Sequence, residues 1–183
     1  MKSKIVVVAL SVLLVLSLFF NVILLYRLYR ETRGPGFNAE NEVLTGDIAP
    51  DFTVELLTGE SFTLSEHRGT VVVLDFWATW CGPCVQKMPT VQVLSEQFEN
   101  NVVFVGMNVG ERPDRIRDFI AERGFTYHIG LDEDSSIHRN LYPSPGIPYT
   151  VIIDGNGMIT QTFLGSHENM YEYIRDAILE ALG

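Results

Sequence analysis

Val71-Val-Val-Leu-Asp-Phe76 is a β-branched, apolar run interrupted by one carboxylate, and Cys81-Gly-Pro-Cys84 follows it after four residues. Such a run reads as a central strand buried on both faces. Beyond the cysteines, Val85, Met88, Val91, Leu94 and Phe98 recur at helical spacing and can share one face. The cysteines thus lie where a buried strand gives way to a helix. The strand needs cover on both sides and the helix must pack back against it, which points to layered α/β architecture. The 183 residues include only 2 Cys. Three positions apart, they cannot staple distant segments together. Either they react with each other or they hold a metal.

The position favours reaction. Cys81 at a helix N-terminus meets unpaired backbone N–H groups and the positive end of the helix dipole, both of which stabilise an anion. The thiolate is the nucleophilic form, so the site activates Cys81. Cys84, one turn on and on the same face, is placed to attack a mixed disulfide at Cys81. Gly82 and Pro83 suit a first helical turn, where the donor that proline lacks would be unpaired anyway. A metal reading needs further ligands. His67, His128, His138 and His167 are scattered, with no closely spaced pair to complete a four-ligand site. We therefore expect no metal and no cofactor beyond the Cys81–Cys84 disulfide.

The rest of the chain alternates strands with helices. Phe52–Leu56 and Ser61–Leu64 predict a hairpin turning at Thr58-Gly59, and Ser65 can start a short helical turn. Val102–Val109 predicts a second buried strand. Arg112–Arg123 predicts a helix stopped by Gly124. His128–Leu131 reads as a strand and Ser135–Leu141 as a short helix. Tyr149–Asp154 and Met158–Phe163 predict a second hairpin around Gly155-Asn-Gly157. Asn169–Leu182 reads as a closing helix, and Pro89 inside the helix after the cysteines predicts a kink.

The N-terminus is of another kind. Ile5–Leu25 is a 21-residue run whose only polar members are Ser11, Ser17 and Asn21. A helix of that length spans about 30 Å, the hydrocarbon thickness of a bilayer. Tyr26-Arg-Leu-Tyr-Arg30 follows as an aromatic and basic anchor. We read residues 1–31 as one transmembrane signal anchor with basic flanks, 32–46 as a linker and 47–183 as the globular domain. Past residue 34 the chain has 8 basic and 22 acidic side chains, a balance of −14. So acidic a domain is unsuited to nucleic acid, whose phosphates call for Lys and Arg.

Asp75-Phe-Trp-Ala-Thr-Trp-Cys-Gly-Pro-Cys84 resembles the active-site segment of thioredoxins. The wider pattern resembles the TlpA/ResA-like branch of membrane-anchored bacterial thioredoxins. It includes Ala49-Pro-Asp-Phe52 at the domain start, Asn108-Val-Gly-Glu111 after the second strand and Gly146-Ile-Pro148 before the last hairpin. The resemblance implies a thioredoxin fold with an N-terminal β-hairpin extension and a central αβ insertion at about residues 112–135. It further implies that Cys81 attacks, that Cys84 resolves, and that Asp75 is a buried carboxylate taking the proton of Cys84. Pro148 would be a cis-proline facing the disulfide, with Ile147 offering backbone hydrogen bonds to an extended substrate. Trp80, Gly82 and Pro83 would complete the substrate surface, with Trp77 and Trp80 framing the site. This chain departs from the pattern in that the lysine many thioredoxins place near the carboxylate has no counterpart, Gly106 standing there.

By this resemblance the chain is expected to be a single-pass cell-membrane protein with its catalytic domain on the extracytoplasmic side. Its expected partners are disulfide-bearing exported proteins, apocytochromes c among them, and a membrane thiol electron donor, with residues 5–25 in the bilayer. Lys2 and Lys4 before the apolar run are matched by Arg27, Arg30 and Arg33 after it, so charge does not choose the orientation. Two other readings stand beside this one. A thiol peroxidase would share Ala49-Pro-Asp-Phe52, but those enzymes carry Thr three residues before the reactive Cys, where this chain has Ala78. A non-catalytic binding module or metal carrier would leave two intact thiols without redox use.

Overall fold

A computed structural model describes residues 45–183, together with Asn21 and Ile23, both helical. The predicted span at Ile5–Leu25 otherwise lies outside the described residues. Among those, no helix is long and apolar enough to cross a membrane. The globular unit begins at Glu40.

Five strands form one sheet in the order β5-β4-β3-β6-β7. They are β3 (Val71–Trp77), β4 (Val102–Val109), β5 (His128–Asp132), β6 (Tyr149–Ile153) and β7 (Ile159–Leu164). The predicted central strand β3 is central and wholly buried. It pairs parallel with β4 and antiparallel with β6, so the closing hairpin makes the sheet mixed. Because side chains alternate along a strand, β3 feeds two cores. Val71, Val73 and Trp77 face one with helix α1 (Gly82–Gln97), helix α2 (Pro113–Arg123) and the C-terminal helix α4 (Met170–Leu182). Val72, Leu74 and Phe76 face the other, against Phe52, Phe62 and Tyr142.

The second core is closed by the predicted N-terminal hairpin, β1 (Thr53–Glu55) with β2 (Ser61–Thr63). Its end docks on the sheet edge, where Leu57 N–H donates to the Ile129 carbonyl at 2.8 Å. The expected insertion at about residues 112–135 holds α2 and β5, and the short helix α3 (Ser136–Asn140) follows it. Gly124 stops α2 as expected, in the left-handed conformation at φ 69° that favours glycine. Pro89 lies inside α1, where it cannot donate to the carbonyl four residues before it. Most boundaries differ from the sequence reading by one or two residues. The end of β1 is an example. Leu56 leaves the β1–β2 ladder and bridges to Gly130 instead, so the strand stops where its partner changes.

Candidate active site

Helix α1 begins at Gly82, with Cys81 as its N-cap and Pro83 in its first turn. The two cysteines are joined as a disulfide, their Cα atoms 5.2 Å apart. The Cys84 backbone N–H donates to Cys81 Sγ at 3.2 Å, which is the anion-stabilising contact expected of an N-cap position. The two sulfurs differ in access. Cys84 is fully buried and Cys81 retains 5% exposure. Trp80 beside it is 66% exposed, and Gly82 and Pro83 are exposed as well.

Across from Cys81 runs the loop entering β6. Its Ile147–Pro148 bond is cis, as the resemblance implied. Cys81 Sγ lies 3.6 Å from the Ile147 carbonyl oxygen. Trp80, Cys81, Gly82, Pro83 and Ile147 thus meet at one rim. Trp77 does not join it. Its indole is wholly buried, packed 5.5 Å from the Phe119 ring in the first core.

On the side of β3 that meets α1, Asp75 is 2% exposed. Its Oδ1 accepts from Lys87 Nζ at 2.5 Å and from the Thr150 hydroxyl at 3.0 Å. Lys87 also donates to Thr150 Oγ1 at 2.7 Å. This corrects the expectation that the carboxylate has no lysine. Gly106 does sit opposite Asp75 in the β3–β4 register. The space above Gly106 is taken by other groups, since a Cβ there would stand 2.8 Å from Tyr127 Cε2 and 3.1 Å from Trp77 Nε1. The cation comes from α1, one turn after Cys84 and on its buried side. Tyr127 feels the same surroundings. Burial first, and the Asp75 charge second, hold its phenol well above the ordinary value.

The redoxin family model matches residues 44–178. The chain belongs to the redoxin family, in its TlpA/ResA-like branch. This redoxin is 34% identical over 131 residues to the thiol-disulfide oxidoreductase ResA of Geobacillus kaustophilus, covering 71% of this chain and 75% of that one. It is 33% identical over 124 residues to the thioredoxin-like protein YneN of Bacillus subtilis, covering 66% and 72%. Among solved structures it resembles a Chlorobium tepidum protein assigned as the thiol:disulfide interchange protein DsbE. That match has a TM-score of 0.70 at 31% identity and covers 78% of this chain and 100% of the other. The redoxin domain is a thiol–disulfide oxidoreductase with a thioredoxin-like α/β fold.

One further side chain reaches the site. Asn108-Val-Gly-Glu111 entered the sequence reading only as part of a resemblance. The Glu111 carboxylate, 5% exposed, accepts from the Thr79 backbone N–H at 2.6 Å and from the Thr79 hydroxyl at 2.5 Å. Asn108 Nδ2 donates to it at 2.9 Å, and Arg115 Nε lies 3.2 Å away. Thr79 is two residues before Cys81. A signal for this existed in the sequence, since a Glu directly after a buried strand must leave the core or find donors there.

Proposed function

We propose that this oxidoreductase works as a membrane-tethered, extracytoplasmic reductase of disulfides in exported proteins, apocytochromes c among its clients. The observation that carries the chemical part is the inequality of the two sulfurs. Cys81 stands at a rim beside the Ile147 carbonyl and cis-Pro148, while Cys84 is fully buried one helical turn before Lys87, the partner of Asp75. In the reduced enzyme the Cys81 thiolate attacks one sulfur of the client disulfide. The client's other sulfur leaves as a thiolate and takes a proton. Cys84 then gives its proton toward Asp75 and attacks Cys81 Sγ. The mixed disulfide breaks, the second client thiolate takes up the proton that Cys84 gave, the client leaves as a dithiol, and two electrons have moved from the enzyme to the client. A membrane thiol donor returns them by the reverse exchange at Cys81. The apolar run at residues 5–25 supports the tether, and the backbone groups of Ile147 suit an extended client segment.

Blocking the second attack tests this order of events. Cys84→Ser should accumulate clients as mixed disulfides on Cys81, identifiable by mass spectrometry after non-reducing purification. Recovery of the same species from Cys81→Ser would overturn the assignment. A topology reporter fused after Gly183 should be active only outside the cytoplasm, and activity only inside would overturn the placement.

A further inference from the structure

The segment leading into Cys81 is short and sharply turned. The Cys81 backbone N–H donates to the Ala78 carbonyl at 3.1 Å, closing a turn with Thr79 and Trp80 at its two central positions. Through this turn β3 delivers Cys81 to the N-cap of α1. Nothing in the chemistry of Thr79-Trp80 demands that turn. It has no glycine or proline at its centre, and Trp80 projects into solvent. What holds it comes from another element. Glu111, on the loop after β4, takes both the N–H and the hydroxyl of Thr79. The carboxylate is fixed in turn by Asn108 at the end of β4 and by Arg115 in the first turns of α2, and Arg115 Nε also donates to Thr79 Oγ1 at 2.9 Å.

We propose that Glu111 is a positioning residue for Cys81, acting through Thr79 to set the turn that aims the attacking sulfur at the rim. The inference rests on Cys81 being the attacker. Two features argue for aim and not merely for stability. The bonds fall on the residue two before Cys81, where a small backbone rotation changes the direction of Sγ most. Their acceptor is also nearly buried, so Thr79 cannot exchange it for water without moving. Asn108 and Arg115 both hold the carboxylate and the Arg115 guanidinium offsets its charge, so the brace can stand near a nucleophilic thiolate without opposing it. A misplacement of the order of 1 Å at a reacting atom is enough to slow a step severalfold to a hundredfold.

Alkylation of the reduced protein with iodoacetamide, resolved by peptide mapping into Cys81 and Cys84 and followed across pH, tests the proposal without a client. In the unmodified protein Cys81 should label first. Glu111→Ala should slow Cys81 labelling by about tenfold and raise the pH midpoint of its reaction, as the N-cap geometry loosens. Glu111→Gln, whose carbonyl still accepts from the Thr79 N–H, should recover the rate to within about threefold and keep the midpoint. Loss of stability alone would leave the midpoint of the folded molecules unmoved. Should Glu111→Ala fail to fold, Thr79→Val removes only the hydroxyl bond, with an expected slowing of about two- to fourfold. Wild-type labelling in folded Glu111→Ala, or in Thr79→Val where that is the variant available, overturns the proposal alone. Glu111→Gln as slow as Glu111→Ala overturns the route through Thr79. Labelling of Cys84 first in the unmodified protein overturns the assignment of Cys81 and the proposal with it.

Discussion

Two nearly buried carboxylates, Asp75 and Glu111, are held in opposite ways. Asp75 is paired with Lys87 and Thr150, and the side chains of its ion pair are 0% and 2% exposed. Glu111 lies beside the approach to Cys81, as buried as a rim residue can be, yet its cation Arg115 is 64% exposed. The first pair is closed to water on both sides. The second is braced on the inside by Thr79 and Asn108 and open on the outside. The enclosed pair joins β3 to α1, and the half-open one adjoins the turn that leads into Cys81. Water screening makes the energetic weight of the two cations very different.

The largest expected effect comes from breaking the enclosed pair. Lys87→Met leaves Asp75 in the core with one hydroxyl donor, and removing one partner of a buried pair costs about 3–5 kcal/mol. Urea unfolding at pH 7 should show that loss. The double variant Asp75→Asn with Lys87→Met should be more stable than Lys87→Met alone. A single variant within about 1 kcal/mol of the parent would mean that Asp75 finds water after all, and the contrast with Glu111 would collapse.

Gly106 tests the same enclosure by volume. It faces Asp75 across β3 and β4, and the Tyr127 ring, Trp77 Nε1 and Ile129 close over it. Gly106→Ala places a methyl 2.8 Å from Tyr127 Cε2. Overpacking of this kind costs about 1–3 kcal/mol. It should appear as a lower urea midpoint with an unchanged slope. A variant as stable as the parent would show that the lid over Asp75 yields.

What the sequence made legible divides along the same line. The strand, the cysteine pair and the helix are local patterns, and each stands where it was expected, whereas the cis form of the Ile147–Pro148 bond came only from the family resemblance. The partner of Asp75 is not local. The place expected for its lysine is on β4, where Gly106 stands, and the lysine comes from α1 instead. Yet Cys84, Lys87, Met88, Val91 and Leu94 are the buried residues of α1 and follow the helical period. The period alone placed Lys87 inside, and a buried ammonium needs an acid. The Glu111–Thr79 contact spans 32 positions between two loops, and no periodicity reports on that. Strand ends slipped for a similar reason, as the ladder with a neighbour and not composition decides where pairing stops.

On the open side the expected effects are smaller. Arg115→Ala removes a mostly exposed cation while leaving Thr79 and Asn108 on Glu111, so the stability change should stay under about 1 kcal/mol and fade with added salt. A loss comparable to that of Lys87→Met would show that Glu111 depends on its cation as strictly as Asp75 does.

The smallest effect lies behind the cis-proline loop. Ser144 donates to the Gly146 carbonyl at 2.7 Å, so it accepts from His138 Nε2–H at 2.9 Å. His138 therefore ties α3 to the loop that presents Ile147 to Cys81. Burial, as the main cause, lowers its pKa below the usual 6.5, against an opposing pull from Asp132 and with a small push from Arg139. The unfolded chain then binds the proton more readily than the folded one. Stability from this group is fully present above about pH 6.5 and is lost as pH falls from there toward the folded value. His138→Gln should flatten that part of the stability profile between pH 7.5 and 5.5, measured by urea midpoints. His67, also lowered chiefly by burial, keeps its own share of the slope in both proteins. An identical slope in the variant would show that His138 takes up its proton without disturbing the rim.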